Sequence, residues 1–448
     1  MFLRNILNLA GGRIPGQLVI QYTNSCNAFC PQCGMRAGNR IKRSTLKLDE
    51  VKKTIDCAAK NSFQALSLTG GEPLLYLNDI CTLLDYAGTA GIKYLRTGTN
   101  GFYFRNLDNP ANLDRVKKIA DRLAATPLRN FWISIDSSDL KTHETMRGFP
   151  GLFAGIEKAL PIFHERGLYP SANLSINRNL AGFEKTAETQ LQTGKEELFL
   201  NFFRAAFHDF YQKVIGLGFT IVNTCYPMSI DENNSELAAV YDATSLDNCV
   251  NFSREEKILV YRALSEVIPH FRDQVRIFTP LNSLYGLISQ HQNDEKEIPG
   301  YACRGGKEFF FVAAENGNTY PCGFRGQDNY GKFWHEGWKK KDESSCTACD
   351  WECFRDPAEM FGPWQELWNR PINLTRRVWF DPGFIRDFSH DLTYYRACDY
   401  FDGRMAPNCR KLASFSFGKE SCKTKRSSFN SRSNPKQIRP VARWECAG

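Results

Sequence analysis

The chain has 448 residues, of which 42% are hydrophobic and 24% are charged. These proportions are ordinary for a globular protein and exclude collagen-like, coiled-coil and wholly disordered classes. No stretch reaches the roughly 18 unbroken apolar residues that a membrane helix requires. The start of the chain also lacks an apolar block followed by a small-residue cleavage site. We therefore expect a cytoplasmic protein that does not associate with a membrane.

The net charge of +8 comes from one end of the chain. Residues 403–448 contain eleven Lys or Arg and two Glu, which leaves residues 1–402 with a net charge of −1. A neutral body gives no compositional support for a nucleic-acid groove. Because residues 403–448 are basic and rich in Ser, we interpret them as a flexible, solvated tail. An acidic or phosphate-bearing partner for this tail is the alternative.

Short strand-like runs alternate with amphipathic helical stretches up to about residue 280. The pattern predicts strands at 18–23, 65–69, 94–97, 131–136, 171–176 and 219–223. It predicts helices at 48–62, 77–90, 113–125, 152–166, 196–216 and 254–272. Strands separated by helices of this length are typical of right-handed βαβ units with parallel strands. The predicted fold class is therefore α/β, with a partial (β/α)6 TIM-like barrel at residues 18–290 after a lead-in at 1–17.

Beyond the barrel, Cys, Gly and aromatic residues dominate and helical periodicity is weak. We predict a small cysteine-rich domain at 300–362, a helical or irregular cap at 363–402, and then the basic tail. The chain has 16 cysteines, and a disulfide framework suits neither its length nor its expected compartment. Five isolated cysteines are interpreted as small buried hydrophobic residues: Cys57, Cys81, Cys225, Cys249 and Cys398.

Three clustered cysteines, Cys26, Cys30 and Cys33, directly follow the first strand. The carboxyl ends of the strands are where parallel barrels place their chemistry. A structural zinc site would need a fourth Cys or His, and none occurs within the next twenty residues. A [4Fe–4S] cluster with one open iron fits three thiolates better.

Together with three further motifs, this triad resembles the signature of the radical S-adenosylmethionine (radical SAM) superfamily. Gly70-Gly71-Glu72-Pro73 follows the second strand, and Thr99-Asn100-Gly101 follows the third. Ser134-Ile135-Asp136, followed by the segment 143–148, corresponds to the family's motif at the end of the fourth strand. Each motif lies at a strand end, in the order that is typical of the family.

The resemblance implies a [4Fe–4S] cluster that binds S-adenosylmethionine and cleaves it reductively to a 5′-deoxyadenosyl radical. The implied cofactor contacts are Gly70, Gly71, Glu72, Pro73, Asn100, Ser134, Asp136 and Arg147. In this interpretation Glu72 accepts from the methionyl amine and Arg147 pairs with the carboxylate. A surface role for Arg147, and capping roles for Asn100 and Ser134, are the alternatives. The expected enzyme is an oxygen-sensitive oxidoreductase reduced by a small donor such as flavodoxin or ferredoxin.

Two positions depart from the family pattern. Gln32 stands where an aromatic residue usually touches the adenine, so Gln32 hydrogen-bonds the adenine or another residue covers it. Ser137 replaces the glycine that usually follows Asp136, which leaves the turn after the fourth strand undefined.

A second set of cysteines resembles the SPASM/twitch extension of radical SAM enzymes. Residues 309–313 and 318–321 predict a hairpin with a two-residue type I′ turn at Asn316-Gly317, which would bring Cys303 and Cys322 together. The run that follows is C-x2-C-x3-C, whereas the full SPASM form has C-x2-C-x5-C-x3-C. We therefore predict one auxiliary [4Fe–4S] cluster with these ligands: Cys303, Cys322, Cys346 and Cys349, with Cys353 as a substitute or cap.

Two alternatives remain for these cysteines. A zinc ribbon also fits two remote thiolates plus C-x2-C. Cys409, Cys422 and Cys446 would either complete a second auxiliary cluster or remain ordinary free thiols.

The expected function is hydrogen abstraction from a C–H bond, first in peptide or protein modification or maturation. The alternative is dehydrogenation or rearrangement of a small metabolite. Only about 17 residues precede the first strand, so we expect no leader-peptide-binding domain there, which counts against a peptide. A metal-binding nucleic-acid scaffold is the remaining alternative from another class, although the tail has few aromatic residues on which bases could stack.

Overall fold

The computed structural model describes residues 13–34, 43–227, 247–292, 300–340, 346, 350–381 and 383–417. Within them lie nine strands: β1 Gly16–Thr23, β2 Phe63–Gly70, β3 Tyr94–Thr99, β4 Leu128–Ile135, β5 Ser171–Ser175, β6 Ile221–Cys225, β7 Arg276–Ile277, β8 Phe309–Val312 and β9 Thr319–Tyr320. The α-helices are α1 Leu48–Lys60, α2 Leu77–Thr89, α3 Pro110–Ala125, α4 Leu140–Arg147, α5 Leu152–His164, α6 Glu196–Leu217, α7 Arg254–Val267, α8 Leu281–Gln292, α9 Glu352–Asn369, α10 Pro371–Phe380, α11 Phe384–Ala397 and α12 Cys409–Leu412.

The strands form one sheet in the order β7-β6-β5-β4-β3-β2-β1-β8-β9. Strands β1 to β7 pair in parallel, each with the next along the chain. The order is linear, so the barrel is open. The predicted α/β partial barrel is thus confirmed, with six strands at the predicted places and the two-residue strand β7 in addition.

The two faces of the sheet differ because successive side chains of a strand point to opposite sides. On one face Leu66, Leu95 and Ile133 are fully buried in a core that includes side chains of the surrounding helices. The opposite face, here called the inner face, is largely polar from β2 to β6. It carries Ser67, Arg96, Asn130, Trp132, Ser134, Asn173, Asn223 and Cys225 in register.

Strand β8 extends the barrel sheet although it belongs to the cysteine-rich part of the chain. It pairs in parallel with β1, with Leu18 opposite Phe310 and Ile20 opposite Val312. Phe309 and Phe311 lie in a second apolar cluster with Val19, Cys303 and Cys322. The cysteine-rich segment is therefore packed on the sheet beside β1.

The hairpin that joins β8 and β9 differs from the predicted type I′ turn. Ala313 donates to the Asn318 carbonyl at 3.0 Å, and Gly317 donates to the Ala313 carbonyl at 2.8 Å. A type I′ turn requires positive φ at both central residues, but only Gly317, at 66°, has it. Asn316 instead accepts from the Asn318 amide through its side chain. The prediction of a two-residue loop was wrong because this side-chain bond stabilises a longer connection.

Helix α9 crosses the inner face from β8 towards β6. Near its start, the Phe354 ring packs on Phe309 with ring centroids 5.3 Å apart. The Tyr226 hydroxyl, directly after β6, donates to Asp356 at 3.0 Å. None of the helices in the described part of the chain is long and apolar enough to span a bilayer.

The segment after α11 packs against the amino ends of the strands, where the flexible tail was expected to begin. Gly403 donates to the Arg129 carbonyl and accepts from the Tyr169 amide, both at 2.7 Å. The Arg404 guanidinium donates to the Leu128 and Ala124 carbonyls at 2.8 and 2.7 Å. The predicted boundary at residue 403 therefore differs from the structure, because the Gly403 backbone and the Arg404 guanidinium bond to backbone groups at the amino end of the sheet. Residues 418–448 lie outside the described residues.

Candidate functional site

The three clustered cysteines lie on the loop that leaves β1. All three are thiols rather than disulfides. Cys30 is buried, and its burial raises its pKa to about 12. Cys26 accepts from the Ala28 amide at 3.4 Å, and Cys33 donates its amide to the Cys30 carbonyl at 3.1 Å. The loop thus presents three thiols at the carboxyl end of the first strand, as predicted.

The two glycines after β2 let the chain approach this loop closely. A Cβ on Gly70 would lie 2.1 Å from the Thr23 carbonyl oxygen, and one on Gly71 would lie 2.1 Å from the Ser25 carbonyl oxygen. Gly71 donates to the Thr23 carbonyl at 2.8 Å, and Glu72 donates its amide to the Ser25 carbonyl at 2.9 Å. Any larger side chain at either glycine would separate the two strand ends.

Glu72 is fully buried and joins the ends of β2 and β3. Its Oε1 accepts from the Thr99 hydroxyl at 2.8 Å and from the Leu74 amide at 3.1 Å. Its Oε2 accepts from the Asn100 amide at 2.7 Å. A carboxylate has about four acceptor positions, so roughly one remains for a ligand. Burial raises the pKa of Glu72 to about 7 despite these donors.

Asn100 connects the end of β3 to the cysteine loop. Its side-chain amide donates to the Asn27 side-chain oxygen at 2.8 Å and to the Cys26 sulfur at 3.7 Å. Its own side-chain oxygen accepts from the Phe102 amide at 2.9 Å. Three strand ends are therefore joined in one hydrogen-bond network around the first cysteine.

Asp136 and Arg147 form a buried bidentate ion pair. Arg147 donates to the two Asp136 oxygens at 2.6 and 2.7 Å, and the Asp136 amide donates to the His143 ring at 3.1 Å. Burial alone would raise the pKa of Asp136, but the Arg147 charge and His143 hold it well below its usual range. Burial raises the pKa of Cys30 and of Cys26, and the Arg147 charge opposes that rise, so its positive charge is near the thiols. Two of its donors are taken by Asp136, which sequence reasoning did not foresee.

The remaining motif residues have defined positions. Pro73 begins the short 3₁₀ turn after Glu72. Ser134 lies on the inner face of β4, opposite Asn173 of β5. The Ser137 hydroxyl donates to the Asn179 and Leu180 carbonyls at 2.9 and 2.8 Å. A serine therefore stabilises the turn where the family pattern has glycine.

Two buried polar atoms beside the thiols have no partner within the described residues. They are the side-chain nitrogen of Asn27 and the side-chain oxygen of Gln32. An unsatisfied buried polar atom usually marks a missing ligand or water. Three thiols, two unpartnered polar atoms and the Arg147 charge fit an iron–sulfur cluster with a carboxylate-bearing cofactor beside it.

Three cysteines of the second set also lie near one another. Cys303 donates its amide to the Cys346 carbonyl at 2.9 Å. Burial, together with the charges of Cys303 and Cys346, raises the pKa of Cys322 to about 12. Cys349 lies outside the described residues. Within the described part of the chain, no three Cys, His, Asp or Glu side chains converge on a single-ion site.

Cys353 and Cys409 have partners that the sequence pattern did not predict. The Cys353 sulfur lies against the second apolar cluster and donates to Glu352 at 3.4 Å. Burial raises the pKa of the Cys353 thiol, and the charges of Glu352 and Asp356 add to that rise. Cys409 is disulfide-bonded, so its interpretation as a free thiol was wrong.

Sequence reasoning missed several polar residues on the inner face, namely Arg96, Trp132, Glu352 and Asp356, and interpreted Cys225 as an isolated buried thiol. The strand residues among them share the alternation that separates the two faces. The alternation of strand residues between the two faces could be read from the sequence. The position of α9 against the inner face could not.

Comparisons with known proteins match the part of the chain that contains the cysteine loop and strands β2 to β5. Residues 20–188 match the model of the radical SAM superfamily. The AdoMet-dependent heme synthase of Methanosarcina barkeri is 25% identical over 311 residues, which cover 69% of this chain and 77% of that protein.

Other relatives align over shorter segments. A GTP 3′,8-cyclase of Vibrio parahaemolyticus is 29% identical over 33% of this chain and 43% of its own length. The subtilosin biosynthesis protein AlbA of Bacillus subtilis is 24% identical over 36% of this chain and 34% of its own length. This chain thus spans less than half of these two proteins. Among solved structures, anSMEcpe with bound AdoMet and Kp18Cys peptide has a TM-score of 0.49 and 14% identity, covering 84% of this chain and 99% of that one.

Proposed function

Because this chain belongs to the radical SAM superfamily, whose members use a [4Fe–4S] cluster and S-adenosylmethionine, we propose that it abstracts a hydrogen atom from a C–H bond of a peptide or protein. The bound cluster and cofactor supply the electron and the 5′-deoxyadenosyl radical for this reaction. The chain's own residues hold, orient and shield them.

The observation that carries the proposal is the network that joins the cysteine loop to three strand ends. Glu72 bonds the ends of β2 and β3, and Asn100 bonds β3 to Cys26. A loop fixed at this many points holds its thiols in one arrangement before a cluster binds, which reduces the ordering cost.

The residues around the loop have distinct roles in this proposal. Cys26, Cys30 and Cys33 ligate the cluster, and Arg147 supplies positive charge near them for the cofactor carboxylate. Gly70 and Gly71 permit close backbone approach, Asn100 and Ser134 face the cofactor, and Glu72 keeps about one acceptor position for the amine. Asp136 holds the Arg147 side chain in place through two hydrogen bonds.

A second cluster ligated by Cys303, Cys322, Cys346 and Cys349 is part of the proposal. The proximity of the first three supports it. A small donor such as flavodoxin or ferredoxin supplies the electron in the cytoplasm.

A small-metabolite reaction is the second candidate. The coverage of 77% of a heme synthase, against 34% of a bacteriocin biosynthesis protein, favours it.

The proposed function is tested by anaerobic cofactor cleavage. The reconstituted, dithionite-reduced protein should form 5′-deoxyadenosine from S-adenosylmethionine, as measured by chromatography with mass detection. Cys30→Ala should abolish this product because two thiolates cannot hold the cluster. The matched control is Cys81→Ala, which removes a buried thiol from α2 away from the loop and should retain cleavage. Equal product from Cys30→Ala and the unaltered protein would refute the proposal.

A further inference from the structure

A cavity of about 420 Å³ lies among the helices that follow strand β7. The described residues that line it belong to α8, α9, α10 and α11, together with Gly300 and Asp381. None of these lining residues comes from the cysteine loop or from a strand. The volume falls within the roughly 300–1,000 Å³ that is typical of small-molecule sites, so the cavity can hold a small organic ligand.

A buried carboxyl group, that of Glu359 on α9, lines this cavity. Glu359 is only 1% exposed. Its Oε1 accepts from the Tyr301 amide at 2.7 Å. The Arg355 guanidinium lies 3.7 Å from the same oxygen, which is beyond hydrogen-bond range. Oε2 makes no hydrogen bond within the described residues. A carboxylate has about four acceptor positions, so about three of them remain for a ligand in the cavity.

Two glycines leave room for this carboxyl group. A Cβ on Gly286 would lie 2.8 Å from Glu359 Oε1, and one on Gly300 would lie 2.3 Å from it. Gly286 lies inside α8, where glycine is less favourable than alanine by about 1 kcal/mol. A larger side chain at either position would push the carboxyl group away from its place at the cavity wall.

Acidic groups outnumber basic groups around the cavity. Asp381 and Asp387 line it together with Glu359, and Arg377 is the one basic side chain among the described lining residues. Arg377 also pairs at 3.3 Å with Glu366, which lies outside the lining. The cavity wall is therefore negative once Glu359 is ionised. It favours a cationic ligand and disfavours an anionic one, because like charges at close range repel.

The protonation state of Glu359 determines when that charge is present. Burial raises the pKa of Glu359 to about 7, the charges of Arg355 and Arg377 oppose that rise, and the charge of Glu366 adds to it. The carboxylate form therefore predominates at pH 8. A cation bound beside the carboxyl group would favour this form further, because an opposite charge lowers the pKa of an acid.

The rest of the lining includes apolar and aromatic side chains, namely Tyr285, Ile288, Phe380 and Phe384. Such side chains pack on hydrocarbon chains, and the faces of aromatic rings also attract cations. A ligand that combines a positive charge with a short carbon chain matches both parts of the cavity.

We propose that this cavity binds a protonated alkylamine, whose ammonium group donates to Oε2 of Glu359 and whose carbon chain packs on the apolar lining. A free amine and the side chain of a lysine in another protein share this chemistry. The inference goes beyond the proposed function, because the described lining is separate from the cysteine loop and from the strands.

The test titrates the reconstituted holoenzyme at pH 8 by isothermal calorimetry with putrescine, Nα-acetyllysinamide and butyrate. At least one of the two cations should bind, and the tighter of the two identifies a free amine or a lysine side chain as the source. Butyrate, an anion with a carbon chain of the same length as that of putrescine, should not bind. Glu359→Gln should weaken cation binding roughly tenfold or more, as expected for a lost hydrogen bond to a charged group. Asp387→Asn should weaken it by a smaller factor.

The matched control is Asp121→Asn, which removes a carboxylate that pairs with Arg166 away from the cavity and should leave cation binding unchanged. Circular dichroism and iron content of both cavity variants should equal those of the unaltered protein. If Glu359→Gln does not fold, the affinity of Asp387→Asn decides. Absence of cation binding would overturn the inference, as would butyrate binding as tight as that of the cations. Unchanged affinity in the folded Glu359→Gln protein, or in Asp387→Asn where that variant decides, would overturn it as well.

Discussion

Two buried glutamates, one at the cysteine loop and one on α9, are satisfied to different degrees. Glu72 accepts three hydrogen bonds from three residues of its own surroundings. Glu352 leaves one oxygen without a partner in the described part of the chain. Nearly all buried polar groups in folded proteins are paired. Three acceptor positions of Glu72 therefore serve the scaffold and about one remains for a ligand, whereas Glu352 has an oxygen that the described residues leave unpaired. Burial alone thus does not show how many hydrogen bonds a carboxylate makes.

Removing the three thiols that the Glu72 network positions should have the largest effect on iron content and activity. A protein with two four-iron clusters should hold about eight irons per chain. Changing Cys26, Cys30 and Cys33 together to Ala should leave about four, because the second set of cysteines lies beside β8, away from the loop. Iron and sulfide analysis of the anaerobic protein measures this.

Three results would contradict that expectation. About twelve irons in the unaltered protein would require a second auxiliary cluster. A triple variant with one zinc and no iron would make the second set a structural zinc module. Retained 5′-deoxyadenosine formation in the triple variant would refute the assignment of the loop.

A matched pair of substitutions sharpens the contrast between the two glutamates. Glu72→Gln should lower the free energy of unfolding by about 1–3 kcal/mol, because a buried backbone or hydroxyl donor loses its acceptor. Glu352→Gln should change it little or raise it, because an unpaired oxygen is exchanged for an amide without loss of Oε1. Thermal or urea unfolding, monitored by circular dichroism, measures both. Equal destabilisation would remove the distinction drawn between them.

Glu72 also predicts a pH dependence of stability. Its pKa is raised by burial to about 7 in the folded protein, while the unfolded chain should titrate near its ordinary value of about 4.3. Between these values the folded state binds more protons, so the contribution of Glu72 to stability falls as pH rises from about 4.3 to 7 and is constant above that. Glu72→Gln should abolish this slope, measured as the difference in unfolding free energy from the unaltered protein. An unchanged slope would contradict the assignment to Glu72.

The smallest effect is expected from the basic end of the chain. Deleting residues 418–448 removes eight of the eleven basic residues counted from residue 403, and it spares the segment that binds Arg129 and Tyr169. Iron content and cofactor cleavage should stay unchanged. Loss of about four irons would make Cys422 or Cys446 a ligand.

The sequence was most informative where the signal is local. The alternation of strands and helices predicted β1 to β6, and four short motifs predicted the residues that meet at the strand ends. These features depend on neighbours in the chain, where spacing determines geometry.

Prediction was incomplete where distant segments meet. The ion pair between Arg147 and Asp136 was not predicted, and the pairing of Arg147 with the cofactor carboxylate stays a prediction. The surroundings of Cys353 depend on the approach of α9 to β6, which no local pattern encodes. The prediction of the hairpin turn was wrong for a local reason. The Asn316 side chain accepts a hydrogen bond from the Asn318 amide, and this bond competes with the two-residue turn.

The pairing of β8 with β1 has a consequence for the order of events during synthesis. Leu18 of β1 pairs with Phe310 of β8, which is synthesised roughly 290 residues later. At translation rates of about 5–20 residues per second, the edge of β1 stays open for roughly 15 to 60 s. An open strand edge is a template for pairing with other chains. The nascent barrel therefore depends on shielding of its first strand, and of the thiols beside it, until the cysteine-rich segment has emerged from the ribosome.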